Sequence, residues 1–170
     1  MHFLYLDEAG GTERPDLGRA ATPVMAIVGV IVHARLVPPL TRDFLAIKRR
    51  FFPSRFDRGP ALDHVLTEVK GGELLRLTRS SSRNQRRQAA LVRAGLLNLV
   101  RRYGCRVIGR VWVKRPGQRL KPAATYCYAV QDIAVHFDHF LAAETSHGVM
   151  IADSRSQNLN IAAASGRSGA

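Results

Sequence analysis

Two short apolar runs at opposite ends of the chain, Phe-Leu-Tyr-Leu before Asp7 and Val-Met-Ile-Ala before Asp153, set the terms for the fold. Each has the length of a strand and is too short for a buried helix, and segments of helical periodicity lie between them. Strand and helix patterns in alternation predict an α/β fold. The first strand starts at His2 and is closed by Asp7, because Gly10, Gly11, Pro15 and Gly18 continue neither regular structure. Val24 to His33, bounded by Pro23 and by Pro38 and Pro39, gives the second strand. Its continuous apolarity suits cover on both faces, and antiparallel pairing with the first strand is expected. Arg106 to Lys114 alternates as a strand with one partly polar face, and Val149 to Ala152 is the last strand.

From Leu40, the residues Phe44, Ile47 and Phe51 fall at helical spacing until Pro53 stops them. Asn84 to Tyr103 carries a broad apolar face, with the serines Ser80 to Ser82 to cap it and Gly104 to end it. Thr125 to Ala143 is the second long helix, with Tyr128, Ile133, Val135, Phe137, Phe140 and Leu141 on or near its buried side. Between Asp57 and Gly72 the signals conflict: Leu62, Val65, Leu66 and Val69 fit a helix, whereas Gly71 and Gly72 demand an ending.

A chain of 170 residues with 46% hydrophobic content suits one domain, expected over residues 1–160, with a short small-residue tail over 161–170 expected to be disordered. The 26 Lys and Arg against 13 Asp and Glu give a formal charge of +13. No acid occurs between Glu73 and Asp132, a stretch holding Arg76, Arg79, Arg83, Arg86, Arg87, Arg93, Arg101, Arg102 and further basic residues as far as Lys121. A polyanion such as DNA or RNA is the natural partner, each neutralised phosphate releasing counterions. The plainer alternative is a solvated helix face enriched in arginine through coding composition. Cys105 and Cys127 have neither zinc nor disulfide-framework spacing and read as buried thiols. No apolar run approaches the length of about 18 residues needed to span a bilayer, so a cytoplasmic protein without a membrane partner is expected.

Side chains at strand ends of an α/β sheet project into the crevice where ligands bind. Two carboxylates converging there, Asp7 and Asp153, would form a hard-oxygen site suited to Mg²⁺ or Mn²⁺. A single strand-end aspartate more often accepts hydrogen bonds from a turn. Lys70 with Gly71 and Gly72 could approach a phosphate, although a glycine pair is commonly a turn. His64 could share a helical face with Glu68, and His136 with His139 has i, i+3 spacing, yet both read more simply as packing or solvated residues. Tyr126, Tyr128 and Trp112 could stack on bases but have core-like neighbours.

Three segments carry a resemblance. The opening His-Phe-Leu-Tyr-Leu-Asp7-Glu8-Ala9-Gly10, the stretch Glu68-Val-Lys70-Gly71-Gly72-Glu73-Leu, and Gly148-Val-Met-Ile-Ala-Asp153-Ser-Arg155-Ser-Gln-Asn158-Leu-Asn160 resemble the bacterial family known as domain of unknown function 3800. The resemblance spans nearly the whole chain. It implies a ribonuclease H-like mixed sheet flanked by helices and, by fold analogy, a metal-dependent nuclease. It transfers an active-site role to Asp7 and Asp153 and also to Glu8 and Glu68, and nucleic-acid contacts are expected from Lys70, Arg79, Arg83, Arg86, Arg87 and Arg155. Family members usually continue into a helix with a further aspartate. Here Asn160 is followed by Ile-Ala-Ala-Ala-Ser-Gly-Arg-Ser-Gly-Ala, which reads as a truncation lacking that helix and acid. The alternatives are a nucleic-acid-binding module or degenerate remnant without catalysis, and an interaction protein of a mobile-element or defence system.

Overall fold

The computed structural model describes residues 1–12, 14–16, 22–56 and 60–152. Along the chain its elements are β1 (His2–Ala9), β2 (Val24–His33), a 3-10 turn (Ala34–Leu36), α1 (Val37–Phe51), α2 (Pro53–Phe56), α3 (Ala61–Leu66), α4 (Gly71–Thr78), α5 (Arg83–Arg102), β3 (Arg106–Val113), α6 (Pro122–Ala143) and β4 (Gly148–Ala152). They form two compact units. A sheet unit comprises Met1–Ala34 with the chain from Arg106 onward, and a helical unit comprises Arg35–Cys105.

The sheet is mixed, in the order β3-β2-β1-β4. β1 pairs antiparallel with β2, as expected, β2 pairs antiparallel with β3, and β4 runs parallel to β1 with Leu6 opposite Ala152. β1 outruns its expected end. Asp7, Glu8 and Ala9 stay in the ladder opposite Val28, Ile27 and Ala26, so Asp7 lies inside the strand and does not close it. Pairing with an apolar partner strand overrides the low strand propensity of acidic residues. Gly10 supplies the stop, with φ +82° and its α-carbon pressed on the Val24 carbonyl, where no side chain fits.

One sheet face presents Leu4, Leu6, Met25, Ile27 and Ile31 to Ala129, Ile133 and Phe137 of α6, and these residues form the core of the unit. The expectation that β2 is covered on both faces is not met: its burial alternates, and Val24 and Val28 are exposed. The reason lies in β3. Ile108 and Trp112 pack against the core, and Arg110 on the same face forks Asp132 of α6, while Val107, Val111 and Val113 face solvent at 55, 61 and 75% exposure. The α6 register likewise leaves Tyr128 and Val135 exposed, against expectation, with Arg110 stacked near the Tyr128 ring. Trp112 and Tyr126 pack against the core, as their neighbours implied.

Loops at one end of the sheet unit are tied by polar contacts. The Lys114 ammonium donates to the Gly11 carbonyl at 2.6 Å, and the Gly117 amide donates to the Asp16 carboxylate at 3.1 Å. The Arg14 guanidinium, together with the Gly117 amide, lowers the pKa of Asp16 from 3.8 to about 2. A depressed carboxyl pKa stabilises the fold fully above its ordinary value and loses that contribution as pH falls through the folded value. The Asp16–Gly117 tie is therefore expected to be intact above pH 4 and to be lost towards pH 2. Following the Gly117 amide resonance through an acid titration checks this, and a resonance that titrates with a midpoint near 4 would contradict it.

In the helical unit, α1 begins earlier than expected. Pro38 and Pro39 occupy its first turn, where a missing N–H costs nothing, and do not lie outside it. Phe52, Phe56 and Val92 form the core with Ile47, Leu74, Leu77 and Leu96 packed around them. α5 starts after Ser82, whose hydroxyl accepts from the Gln85 amide, and ends before Gly104 at φ +59°, as the serine run and glycine implied. Gly71 and Gly72 open α4, correcting the ending expected there. Lys48 is buried, its ammonium donating to the carbonyls of His64 (2.7 Å) and Val65 (3.3 Å) at the C-terminal end of α3, beside the rings of Phe44 and Phe56. Burial holds its pKa below the ordinary lysine value. Both cysteines are free and half-buried, and desolvation pushes the Cys105 thiol pKa up. Among the described residues no helix is long and apolar enough to cross a membrane.

Candidate functional site

Alternation along β1 decides what its acids can do. Leu4 and Leu6 point into the core, so Asp7 projects from the opposite face of the sheet, on the side of Tyr5, and is exposed. Its Oδ1 accepts a hydrogen bond from the Glu8 amide at 2.8 Å, which orients the carboxylate. Glu8, as the next residue in a strand, projects from the other face. Asp7 and Glu8 thus diverge to opposite sides of the sheet. The parallel ladder from His2–Gly148 to Leu6–Ala152 ends one residue short of Asp7 on one strand and of Asp153 in sequence on the other. Asp153 and Arg155 themselves lie outside the described residues, as does the expected tail. An exposed carboxylate of this kind is a hard-oxygen donor whose chemistry fits Mg²⁺ or Mn²⁺. Among the described residues no group of three His, Cys, Asp or Glu is gathered in one place.

Glu68 and Lys70 belong to the helical unit, where both are exposed in the link between α3 and α4. His64 does not share a helix with Glu68, because α3 ends at Leu66. Its ring is buried edge-on against Phe56, with neither nitrogen hydrogen-bonded to a described residue. His136 and His139 are exposed on α6, and His136 lies 3.7 Å from Asp132.

The charge divides unevenly between the units. Arg35–Cys105 carries sixteen Lys and Arg against five Asp and Glu, a net +11, whereas the sheet unit carries ten against eight, a net +2. Asp43 and Glu73 take up three of the cations, pairing with Arg42, Arg102 and Arg55. Arg76, Arg79, Arg83, Arg87 and Arg93 pair with no acid among the described residues and are exposed. Arg83 and Arg87 lie one turn apart on α5. Arg86, also expected to contact phosphate, has a structural role as well: its Nη1 donates to the carbonyls of Ser80 and Ser81, each at 2.7 Å, and braces the α4–α5 turn. Lys48 and Lys114 are buried and leave the set of cations open to a ligand.

Sequence reasoning passed over Arg76 as a site residue. It lines a cavity of about 580 Å³ at the α4–α5 turn, together with Arg79, Leu75, Ser80, Ser81 and Gln85. The available signal was the spacing of Arg76 and Arg79, which places two cations three residues apart at the end of α4. No family model, curated protein or solved structure matches the chain.

Proposed function

We propose that this protein binds nucleic acid through its helical unit and belongs to the ribonuclease H-like, metal-dependent nucleases or their relatives, with Asp7 as the central acid of the sheet unit. The observation that carries the reading is the net +11 on Arg35–Cys105, most of it on exposed arginines without acid partners. Arginine is weakly hydrated and forks phosphate oxygens, so such a surface favours a phosphate backbone over an isolated carboxylate. The sheet supports the nuclease part: three antiparallel strands are followed, after α6, by β4 running parallel to β1 beside the strand that holds Asp7. Asp7 and Asp153 are the residues proposed to hold Mg²⁺ or Mn²⁺, with Glu68 as a further candidate, and such an ion would supply activated water and charge neutralisation.

Binding is testable by fluorescence anisotropy with labelled single-stranded DNA, duplex DNA and RNA. If several phosphates are neutralised, affinity is expected to fall by about 10³-fold or more between roughly 50 and 200 mM salt. An absence of binding at the lower salt sinks the proposal. One observation favours a second reading, a binding module without catalysis: Asp7 and Glu8 diverge to opposite sheet faces, leaving Asp7 without its sequence neighbour. Salt-dependent binding without turnover in either metal would support that reading.

A further inference from the structure

The cavity at the α4–α5 turn has uncompensated charge and a braced frame. Arg76 and Arg79 both line it, and neither pairs with an acid among the described residues. Like charges three residues apart on a helix repel, and one acid at the right place would relieve them. Glu73, one turn before Arg76, is the nearest acid in sequence, but Arg55 holds both of its carboxylate oxygens, at 2.6 and 2.9 Å. The turn itself is fixed. Arg86 holds the Ser80 and Ser81 carbonyls, the Ser80 hydroxyl bonds the Gln85 side chain, and the Ser82 amide donates to that hydroxyl at 3.1 Å. The Ser81 hydroxyl has no partner among the described residues. Two guanidinium groups and a free hydroxyl offer donors to an anion with several oxygens, and Leu75 and Leu77 add apolar lining. At about 580 Å³ the cavity has room for a ligand the size of one nucleotide.

We propose that this cavity is a phosphomonoester site that takes the terminal nucleotide of a nucleic-acid strand, its phosphate on Arg76 and Arg79 and its base against Leu75 and Leu77. The strand-end form rests on the nucleic-acid reading above. A phosphomonoester presents three oxygens and close to two negative charges, against two free oxygens and one charge for an internal phosphodiester, so paired guanidinium groups favour a strand end.

The test compares the full chain with its Arg76→Gln/Arg79→Gln variant on otherwise identical oligonucleotides ending in phosphate or hydroxyl, with adenosine monophosphate and adenosine as small probes. The wild-type protein is expected to prefer a phosphate end by about tenfold, the variant by about onefold, as for loss of charged hydrogen bonds. An Arg93→Gln/Arg101→Gln variant removes the same charge outside the cavity and is expected to keep the preference. If it loses the preference equally, the assignment to this cavity is overturned. Adenosine monophosphate binding that Arg76→Gln/Arg79→Gln abolishes, without end preference on oligonucleotides, supports the phosphomonoester chemistry with a free nucleotide as its source. Oligonucleotide binding without end preference, together with no adenosine monophosphate binding, overturns the site and leaves the nucleic-acid reading standing. If no oligonucleotide binds, that reading falls, and adenosine monophosphate binding then decides the cavity alone.

Discussion

Under the proposed nuclease function, Asp7→Asn is expected to lower Mn²⁺-dependent cleavage of a labelled oligonucleotide by at least about 100-fold, with affinity measured without metal changed by less than about threefold. The floor on the first figure comes from metal sites generally: residues that only orient a ligand are worth about 10–100-fold, so loss of a ligand itself costs at least the upper end. The ceiling on the second follows from charge. Removing one acid from the unit of net +2 slightly strengthens attraction to phosphate and does not touch the unit of net +11. Asn is the informative substitution because it keeps the shape and can still accept the Glu8 amide, which lies 2.8 Å from Asp7 Oδ1. A fall in cleavage then reports the lost charge and not a collapsed strand. Glu8→Gln is the internal contrast, since Glu8 projects from the other face and is expected to cost far less. Equal cutting by wild type and Asp7→Asn would remove Asp7 from the chemistry.

The legibility of this chain followed the range of the interactions. β2 was readable to both ends, because its branched residues lie between proline boundaries and the signal is local. α5 was readable to within a residue for a similar reason, with its serine cap and terminal glycine adjacent in sequence. β1 was not, since the extra pairs at Asp7, Glu8 and Ala9 depend on Val28, Ile27 and Ala26, about twenty residues away. That difference moved Asp7 from a strand end into a strand and parted it from Glu8. Which face of β3 is buried was equally invisible: the alternation showed one partly polar face, and the Arg110–Asp132 pair puts that side towards α6 while Val107, Val111 and Val113 face solvent. Local patterning favours burying the valines, and tertiary packing overrode it.

The basic character was plain from composition, but its partition was not. An acid-free stretch from Leu74 to Gln131 crosses from one unit into the other at Arg106, so its fourteen cations are shared between two bodies. Counting by unit also brings in cations from α1 and α2 that the stretch omits, and it is this count that gives one unit nearly all of the net charge. Arg86 shows the limit of counting. It reads as one more exposed cation, and only the turn geometry reveals two carbonyls held by a single guanidinium nitrogen.

Phe137→Ala is expected to destabilise the sheet unit by about 3–5 kcal/mol, the range for emptying a buried aromatic site. The ring is 5% exposed, stacks on Phe140 and fills the space above Gly148, where a β-carbon would lie 2.8 Å from Phe137 Cε1 and 2.9 Å from Leu141 Cδ1. The absence of a side chain at 148 is thus what lets the ring seat α6 against β4. Gly148→Ala is expected to cost about 1–3 kcal/mol by overpacking. Phe137→Leu gives up part of the ring volume, and combined with Gly148→Ala it should cost less than the two singles added, with a coupling of at least about 0.5 kcal/mol. Trp112 is the only tryptophan and packs against the same core, so its fluorescence in urea follows this unit specifically. Strict additivity, or a loss below about 1 kcal/mol for Phe137→Ala, would show that the ring does not seat the strand. Because β4 enters the sheet at Gly148 opposite His2 and runs in parallel register to Ala152 opposite Leu6, the same contact sets the strand that precedes Asp153 beside the one that carries Asp7. Loss of cleavage in Gly148→Ala, with regain in the double variant, would tie that packing to the chemistry proposed for the two aspartates.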